Sequence, residues 1–539
     1  MKRQRAFSAT ELLVAASLLT FGVVTACGGG DDSSSSGGGS GGLGGGGLGG
    51  STAGHGGAGG KGGAGGSSAA GSPSAGGDIG IGGDETPDGG PTMGQGGAGG
   101  EVDTPIDPSL KAAVYPAVKF PMENPDSDAK DMLGKVLFWD EQVGSDGTMA
   151  CGTCHRTGTG GGSDPRAVGP DSRSPGDDGI LGTDDDVHGS QGIKFCTGGD
   201  GAPVVYSVAP DPNPNKIFGL NHQVTGRKAP TYLDAMFAPD IFWDGRATSQ
   251  FLDPLTNLPA IASGGGLESQ SVGPPMNPGE MACSGRSWAG LVNTLKTAMP
   301  LALAKDRPPA MLKFITDNGS TYPKLFLAAF STDSGITEAT AITPTRFAFA
   351  IATHERHLTS NQTPWDLYNQ YLNDPTTGNH NALTPAQLHG LQLFMGKASC
   401  SGCHTPPFFS DFQFHNLAFV SSAVDKGRQA LVGHTGDPRG QVKTATLRNV
   451  GLRENQGLFH YGHGPGANLA TVVATYNNPP KGDGTNLPTT GDGAGAAIKL
   501  LGLQPDEMAD IIDFLRNGLT DPRVKNQEFP FDRPTLSTE

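Results

Sequence analysis

The chain has 539 residues, enough for several domains of average size, yet 86 of them are glycine, many before residue 105, so the part able to pack is smaller than the length suggests. The formal net charge is -16, and no cluster of Lys and Arg supplies the positive field that phosphate binding requires, which excludes a nucleic-acid partner.

Lys2, Arg3 and Arg5 precede a mostly apolar stretch from Leu12 to Val24. It is too short and too close to the start for a membrane span and reads as an export signal. Val24-Thr25-Ala26-Cys27 resembles a bacterial lipobox, in which the cysteine becomes the lipidated N-terminus after cleavage. Two alternatives stand beside it: a plain signal peptide with a chance cysteine, and a prepilin start at Phe7, which has Ala6 where pilins place glycine. Residues 1–27 are thus expected to be a lipoprotein-type signal peptide, and 28–107 a Gly/Ser-rich disordered linker with almost nothing large and apolar. Anchor and tether together imply a body in the periplasm or cell envelope, held to the membrane through Cys27 and free to sweep for partners.

Farther along, Leu133-Gly-Lys-Val-Leu-Phe138 suggests a helix, and Cys151-Gly-Thr-Cys154-His155 follows it. Asp177, Asp178, Asp184, Asp185 and Asp186, interleaved with glycine, offer carboxylates for calcium outside the EF-hand spacing, or form a solvated acidic loop. Thr384-Pro385 reads as an N-cap with proline at the first helical position. It opens a helix that reaches Leu391 to Lys397 and leads into Cys400-Ser-Gly-Cys403-His404. From Pro505 to Arg516, Met508, Ile511, Ile512 and Leu515 recur at helical spacing, as in the helix that a cytochrome c domain packs across its first one.

The two C-x-x-C-H copies carry the chemistry. Two thiols three residues apart reach the two vinyl groups on one edge of a haem, and the adjacent histidine binds the iron. A zinc or dithiol redox pair would not require the histidine in both copies. The chain should therefore hold two covalent haem c groups, ligated by His155 and His404. No Gly-x-Ser-x-Gly elbow or Walker loop is present.

Four segments resemble one family, the bacterial di-haem cytochrome c peroxidases and MauG proteins. They are Leu133 to His155; Ala229-Pro230-Thr231 with Phe242-Trp243-Asp244-Gly245-Arg246; Gly273-Pro274 through Asn277-Pro278-Gly-Glu280-Met281; and Thr446-Leu-Arg448-Asn449-Val450 through Tyr476-Asn477. The resemblance implies a mainly α fold of two cytochrome c-like haem domains with long loops, at 108–373 (peroxidatic) and 374–534 (electron transfer). It implies that Trp243 carries electrons between the haems, that Glu280 is the acid/base beside the open iron, and that Gln270 and Pro274 line the same distal pocket. An insertion around Ile261 to Ser269 reshapes that pocket's walls.

The sixth ligands separate the subtypes. Where peroxidases of the family place methionine on the C-terminal haem, this chain has Tyr476, as MauG proteins do; extra residues near His460 to Pro465 leave His460 or His463 as alternatives. Where they place a removable distal histidine on the N-terminal haem, this chain has Leu220, with His222 nearby as a displaced ligand or a loop residue. The family's interdomain calcium is in question, because Lys228 stands where many members have Asn and the segment at Asn455-Gln456-Gly457 departs from the usual carbonyl donors. Cys196 and Cys283 are the two unassigned cysteines; in an oxidising compartment a disulfide is the simple expectation, two free thiols the alternative. The implied reaction is hydrogen peroxide reduction with electrons from a small cytochrome or copper protein. A MauG-like oxidation of a protein partner is the second reading, and a non-enzymatic electron-transfer cytochrome the third.

Overall fold

A computed structural model describes residues 105–162, 173–174, 180, 187–207, 222–417, 425–431, 440–460, 468–479 and 500–539. The export segment, the linker up to residue 104, the five aspartates between 177 and 186, Leu220 and His463 lie outside these residues. Residues Gln95–Glu539 form one compact unit.

Helices dominate, as the sequence implies. In chain order they are α1 (Asp128–Trp139), α2 (Cys151–Cys154), α3 (Gly266–Ser271), α4 (Trp288–Thr297), α5 (Pro309–Asp317), α6 (Tyr322–Ala329), α7 (Pro344–His357), α8 (Pro364–Asn373), α9 (Pro385–Met395), α10 (Val450–Arg453), α11 (Leu469–Asn477), α12 (Pro505–Asp513) and α13 (Pro522–Asn526). The described strands form only two-stranded antiparallel pairs, and Cys196–Gly199 with Ala202–Tyr206 is one of them.

Local chemistry sets the helix starts. Ser127 caps α1 by accepting from the Lys130 amide, and Asp128 and Asp131 complement the first turn. Thr384 caps α9 in a reciprocal box with Gln387, and Pro385 takes the first helical position. The helix read from Pro505 to Arg516 is present, but its final turn, Phe514–Gly518, widens to π geometry.

Two helix crossings organise the core, and each is built on a glycine. A Cβ at Gly134 of α1 would stand 1.9 Å from the Ala350 carbonyl oxygen of α7, and one at Gly390 of α9 would stand 2.1 Å from that of Asp510 on α12. Only a residue without a side chain lets backbones approach so closely. Around the first crossing Leu133, Val136, Leu137, Phe347 and Ile351 form one hydrophobic cluster. Around the second, Leu388, Leu391, Phe394, Ile511 and Phe514 form another. Each such apolar side chain contributes roughly 1.5–3 kcal/mol on burial.

The chain crosses between these clusters more than once. Leu110, Trp365 and Tyr368 pack in the second. Val524, Phe531 and Leu536 return to the first. The fully buried Arg448 guanidinium joins the segments by bidentate pairing with Asp366 and hydrogen bonds to the Pro407 and Ser360 carbonyls. Cys196 and Cys283 are joined as a disulfide, the simpler of the two expectations.

Candidate active site

Cys151 and Cys154 bracket the single turn of α2, and His155 follows as its C-cap. Neither cysteine is in a disulfide, and both line a cavity of about 530 Å³ together with His155. His155 Nδ1 lies 3.4 Å from the Gly161 carbonyl oxygen, a contact that leaves Nε2 with its lone pair. Burial pulls this imidazole down to about 4, so it is neutral and able to ligate iron. Two thiols and a neutral imidazole on one wall are the donor set that covalent haem attachment needs.

The same cavity is lined by Trp243, Gln270, Pro274 and Glu280. Four residues singled out over a span of sequence thus share one space with the first attachment site.

Glu280 is held from several sides. Its side-chain Oε1 accepts from Asn277 Nδ2 at 2.8 Å, its amide donates to the Asn277 carbonyl at 3.0 Å, and its own carbonyl accepts from the Ile193 amide at 2.9 Å. The next residue, Met281, accepts from the Ser145 amide at 2.9 Å. Three residues past Glu280, the disulfide at Cys283 ties the segment to the strand Cys196–Gly199, and the Ser284 amide reinforces the tie by donating to the Cys196 carbonyl at 2.7 Å. Burial raises the Glu280 carboxyl above its ordinary value, while Arg246 and the Asn277 amide pull the other way.

Trp243 is fixed at ring and backbone. Its indole Nε1 donates to the Lys228 carbonyl at 2.8 Å, and its own carbonyl accepts from the Lys443 amide at 2.7 Å. The His460 ring lies 5.7 Å from the indole, centre to centre. His460 also faces Asp425 at 3.3 Å, and its carbonyl accepts from the Lys228 amide at 2.9 Å. Burial lowers the His460 imidazole to about 4. Arg227 grips Asp425 with two nitrogens, at 2.8 and 2.7 Å, and Asp244 with the third, at 2.7 Å. His222 lies on a strand, with Nδ1 2.9 Å from the Gly192 carbonyl, and does not line the cavity.

At the second attachment site, Cys400 and Cys403 are likewise in no disulfide. His404 Nδ1 lies 2.9 Å from the Phe409 carbonyl oxygen, and burial lowers the imidazole. Burial pushes the Cys400 thiol up to about 12. The donor set matches that of the first site. Tyr476 stands on α11 one turn after Val473, which packs in the second cluster. Its phenol is raised by burial and then by the nearby Cys400 and Cys403 sulfurs, which brings it to this site. Cys403, Asp411 and His415 are, among the described residues, the one group of His, Cys, Asp or Glu close enough to share a metal ion, and its cysteine is an attachment thiol.

Residues 128–374 match the family described as di-haem cytochrome c peroxidase. Over that stretch, a little under half of the chain, the protein is similar to the family. Among similar proteins, the methylamine utilization protein MauG of Methylophilus methylotrophus is 24% identical over 369 residues, 67% of this chain and 76% of that protein. The cytochrome c peroxidase of Escherichia coli K12 is 26% identical over 357 residues, 65% of this chain, which spans 54% of the E. coli protein. A solved structure titled as a MauG-like protein associated with microbial copper homeostasis has 22% identity and a TM-score of 0.48, covering 78% of this chain and 97% of that one. The chain is an oxidoreductase of the peroxidase type.

Two features of the cavity wall escape sequence reading. Glu355, on α7, is 4% exposed with Oε2 buried and without a hydrogen-bond partner. Within Thr353-His354-Glu355-Arg356-His357 it looks like one more polar residue in a helical last turn. The clamp of Arg227 on Asp425 joins residues 198 positions apart, and no local pattern announces it.

Proposed function

We propose that this chain is an exported di-haem c-type peroxidase that reduces hydrogen peroxide to water at the Cys151/Cys154/His155 site, in two cytochrome c-like domains at 108–373 and 374–534. The observation that carries the reading is the shared cavity: Glu280, Trp243, Gln270 and Pro274 line the same space as both thiols and His155. The balance is H2O2 + 2 e− + 2 H+ → 2 H2O. Haem iron supplies the redox chemistry of O–O cleavage. Glu280 takes the proton from one peroxide oxygen and returns it to the other, a transfer that favours a carboxyl raised above its ordinary value. Gln270 and Pro274 restrict the space beside it. Trp243 carries electrons from the Cys400/Cys403/His404 site, which draws them from a small cytochrome or copper protein.

The body is read as periplasmic, as is typical of the family, and tethered through a lipidated Cys27. No described helix is long and apolar enough to cross a membrane. Calcium remains an expectation for the acidic run between 177 and 186.

Tyr476 favours a second reading, MauG-like oxidation of a protein partner. Its phenol lies near both second-site sulfurs, and as the sixth ligand it would lower that iron's potential. Electron paramagnetic resonance of the oxidised protein, with Tyr476→Phe alongside, tests the ligation; an unchanged spectrum removes it. Steady peroxide turnover with reduced cytochrome c supports the peroxidase. A long-lived oxidised state without turnover transfers the assignment to the MauG-like reaction, and no peroxide reactivity in fully haem-loaded protein leaves an electron carrier.

A further inference from the structure

Four cationic side chains line the first cavity: Arg227, Lys228, Arg246 and Lys426. Arg227 is saturated by Asp425 and Asp244, Arg246 pairs with Asp244 and lies over the Phe242 ring, and Lys426 is exposed to water. Lys228 differs from all three. It is 6% exposed, and its ammonium makes no hydrogen bond or ion pair with any described residue. Its backbone is held on both sides, the amide donating to the His460 carbonyl and the carbonyl accepting from Trp243 Nε1. The buried cation therefore cannot swing away with its segment.

A buried ammonium without a counter-charge is strongly unfavourable, and burial alone lowers this one to about 8. The cavity it lines is the one that accepts haem through Cys151 and Cys154, and haem brings two propionate carboxylates with it. We propose that the Lys228 ammonium anchors a propionate carboxylate of the haem attached at Cys151 and Cys154, beside Trp243. The inference rests on the haem reading above and adds the residue that orients the group within its cavity. Each charge then resolves the other's desolvation, and the pair is charge-assisted. Held there, the propionate would lie against the segment that bonds the Trp243 ring, which makes Lys228 a positioning residue for the electron path.

The experiment compares wild-type holoprotein with Lys228→Met and Lys228→Arg, first counting haems by their pyridine haemochrome spectrum. Resonance Raman propionate bending bands and the midpoint potential of each haem are then recorded. In Lys228→Met, loss of a nearby positive charge should stabilise the ferric state and lower the N-terminal haem's midpoint, with a shifted propionate band and an unchanged second haem. Lys228→Arg should keep both properties near wild type. Two haems with unaltered band and midpoint in Lys228→Met would overturn the proposal. If Lys228→Met loads fewer than two haems, Lys228→Arg decides: a retained band supports the contact and a lost band refutes it. Protein that carries two haems but reduces no peroxide refutes the peroxidase reading alone, because the Lys228 contact is read spectroscopically in either case.

Discussion

The carboxyl of Glu280 accepts the Asn277 side-chain amide at 2.8 Å, three residues back along the same turn. This bond aims one oxygen at Asn277, and burial raises the carboxyl despite it. Glu280→Gln should retain both haems and lose roughly 10²–10⁴-fold in peroxide turnover. The pH dependence has a definite sign. The carboxylate is the form that takes the peroxide proton, so turnover rises with pH through a value above the ordinary 4.5. Glu280→Gln should abolish that acidic limb, and a limb that persists in the variant assigns it to another group.

The Cys196–Cys283 disulfide closes a loop with a separation of 87 residues. Chain-entropy arguments give about 4–5 kcal/mol for a loop of that size. Replacing both cysteines by serine should lower the denaturation midpoint, and it should also depress peroxide turnover through the strap that holds Glu280. Equal turnover in the variant, measured well below its melting temperature, would confine the disulfide to stability.

Glu355 predicts how stability varies with pH. Burial raises its carboxyl from 4.5 to about 8, with Arg356 opposing and Glu268 reinforcing the rise. Between these values the unfolded chain has released the proton and the folded chain keeps it, so stability falls as pH rises from about 4.5 to about 8 and levels off above. The contribution is on the order of 5 kcal/mol. Glu355→Gln should flatten this slope in melting curves across that window. A wild-type slope in the variant would show that the carboxyl is ionised in the native state.

What the sequence discloses about this site follows from the range of each signal. Both C-x-x-C-H runs, the Thr384 cap and the apolar face of α12 act within a few residues, and each is legible as it stands. Placement of Glu280, Trp243, Gln270 and Pro274 on one wall needed a family resemblance, since nothing local tells a pocket glutamate from a surface one. Gly134 and Gly390 look like weak points in helices until the opposing backbones of Ala350 and Asp510 are seen against them. The isolation of Lys228 is farther out of reach, because it consists of hydrogen bonds and ion pairs that its ammonium does not make with any described residue.

Residues 522–539 have an effect far from their place in the chain. Val524, Phe531 and Leu536 fill the cluster around α1, Asp532 pairs with Lys135 at 2.5 Å, and Glu141 accepts from the Ser537 and Thr538 amides. Synthesis runs the other way. An emerging chain presents both cysteine pairs before the material that seals the first of them exists. The cluster around α1, against which Cys151 and Cys154 pack, is thus complete only when Val524, Phe531 and Leu536 are in place. A proteolytic nick near Asn526 would for the same reason register first at the haem of Cys151 and Cys154, and leave the α9–α12 crossing intact.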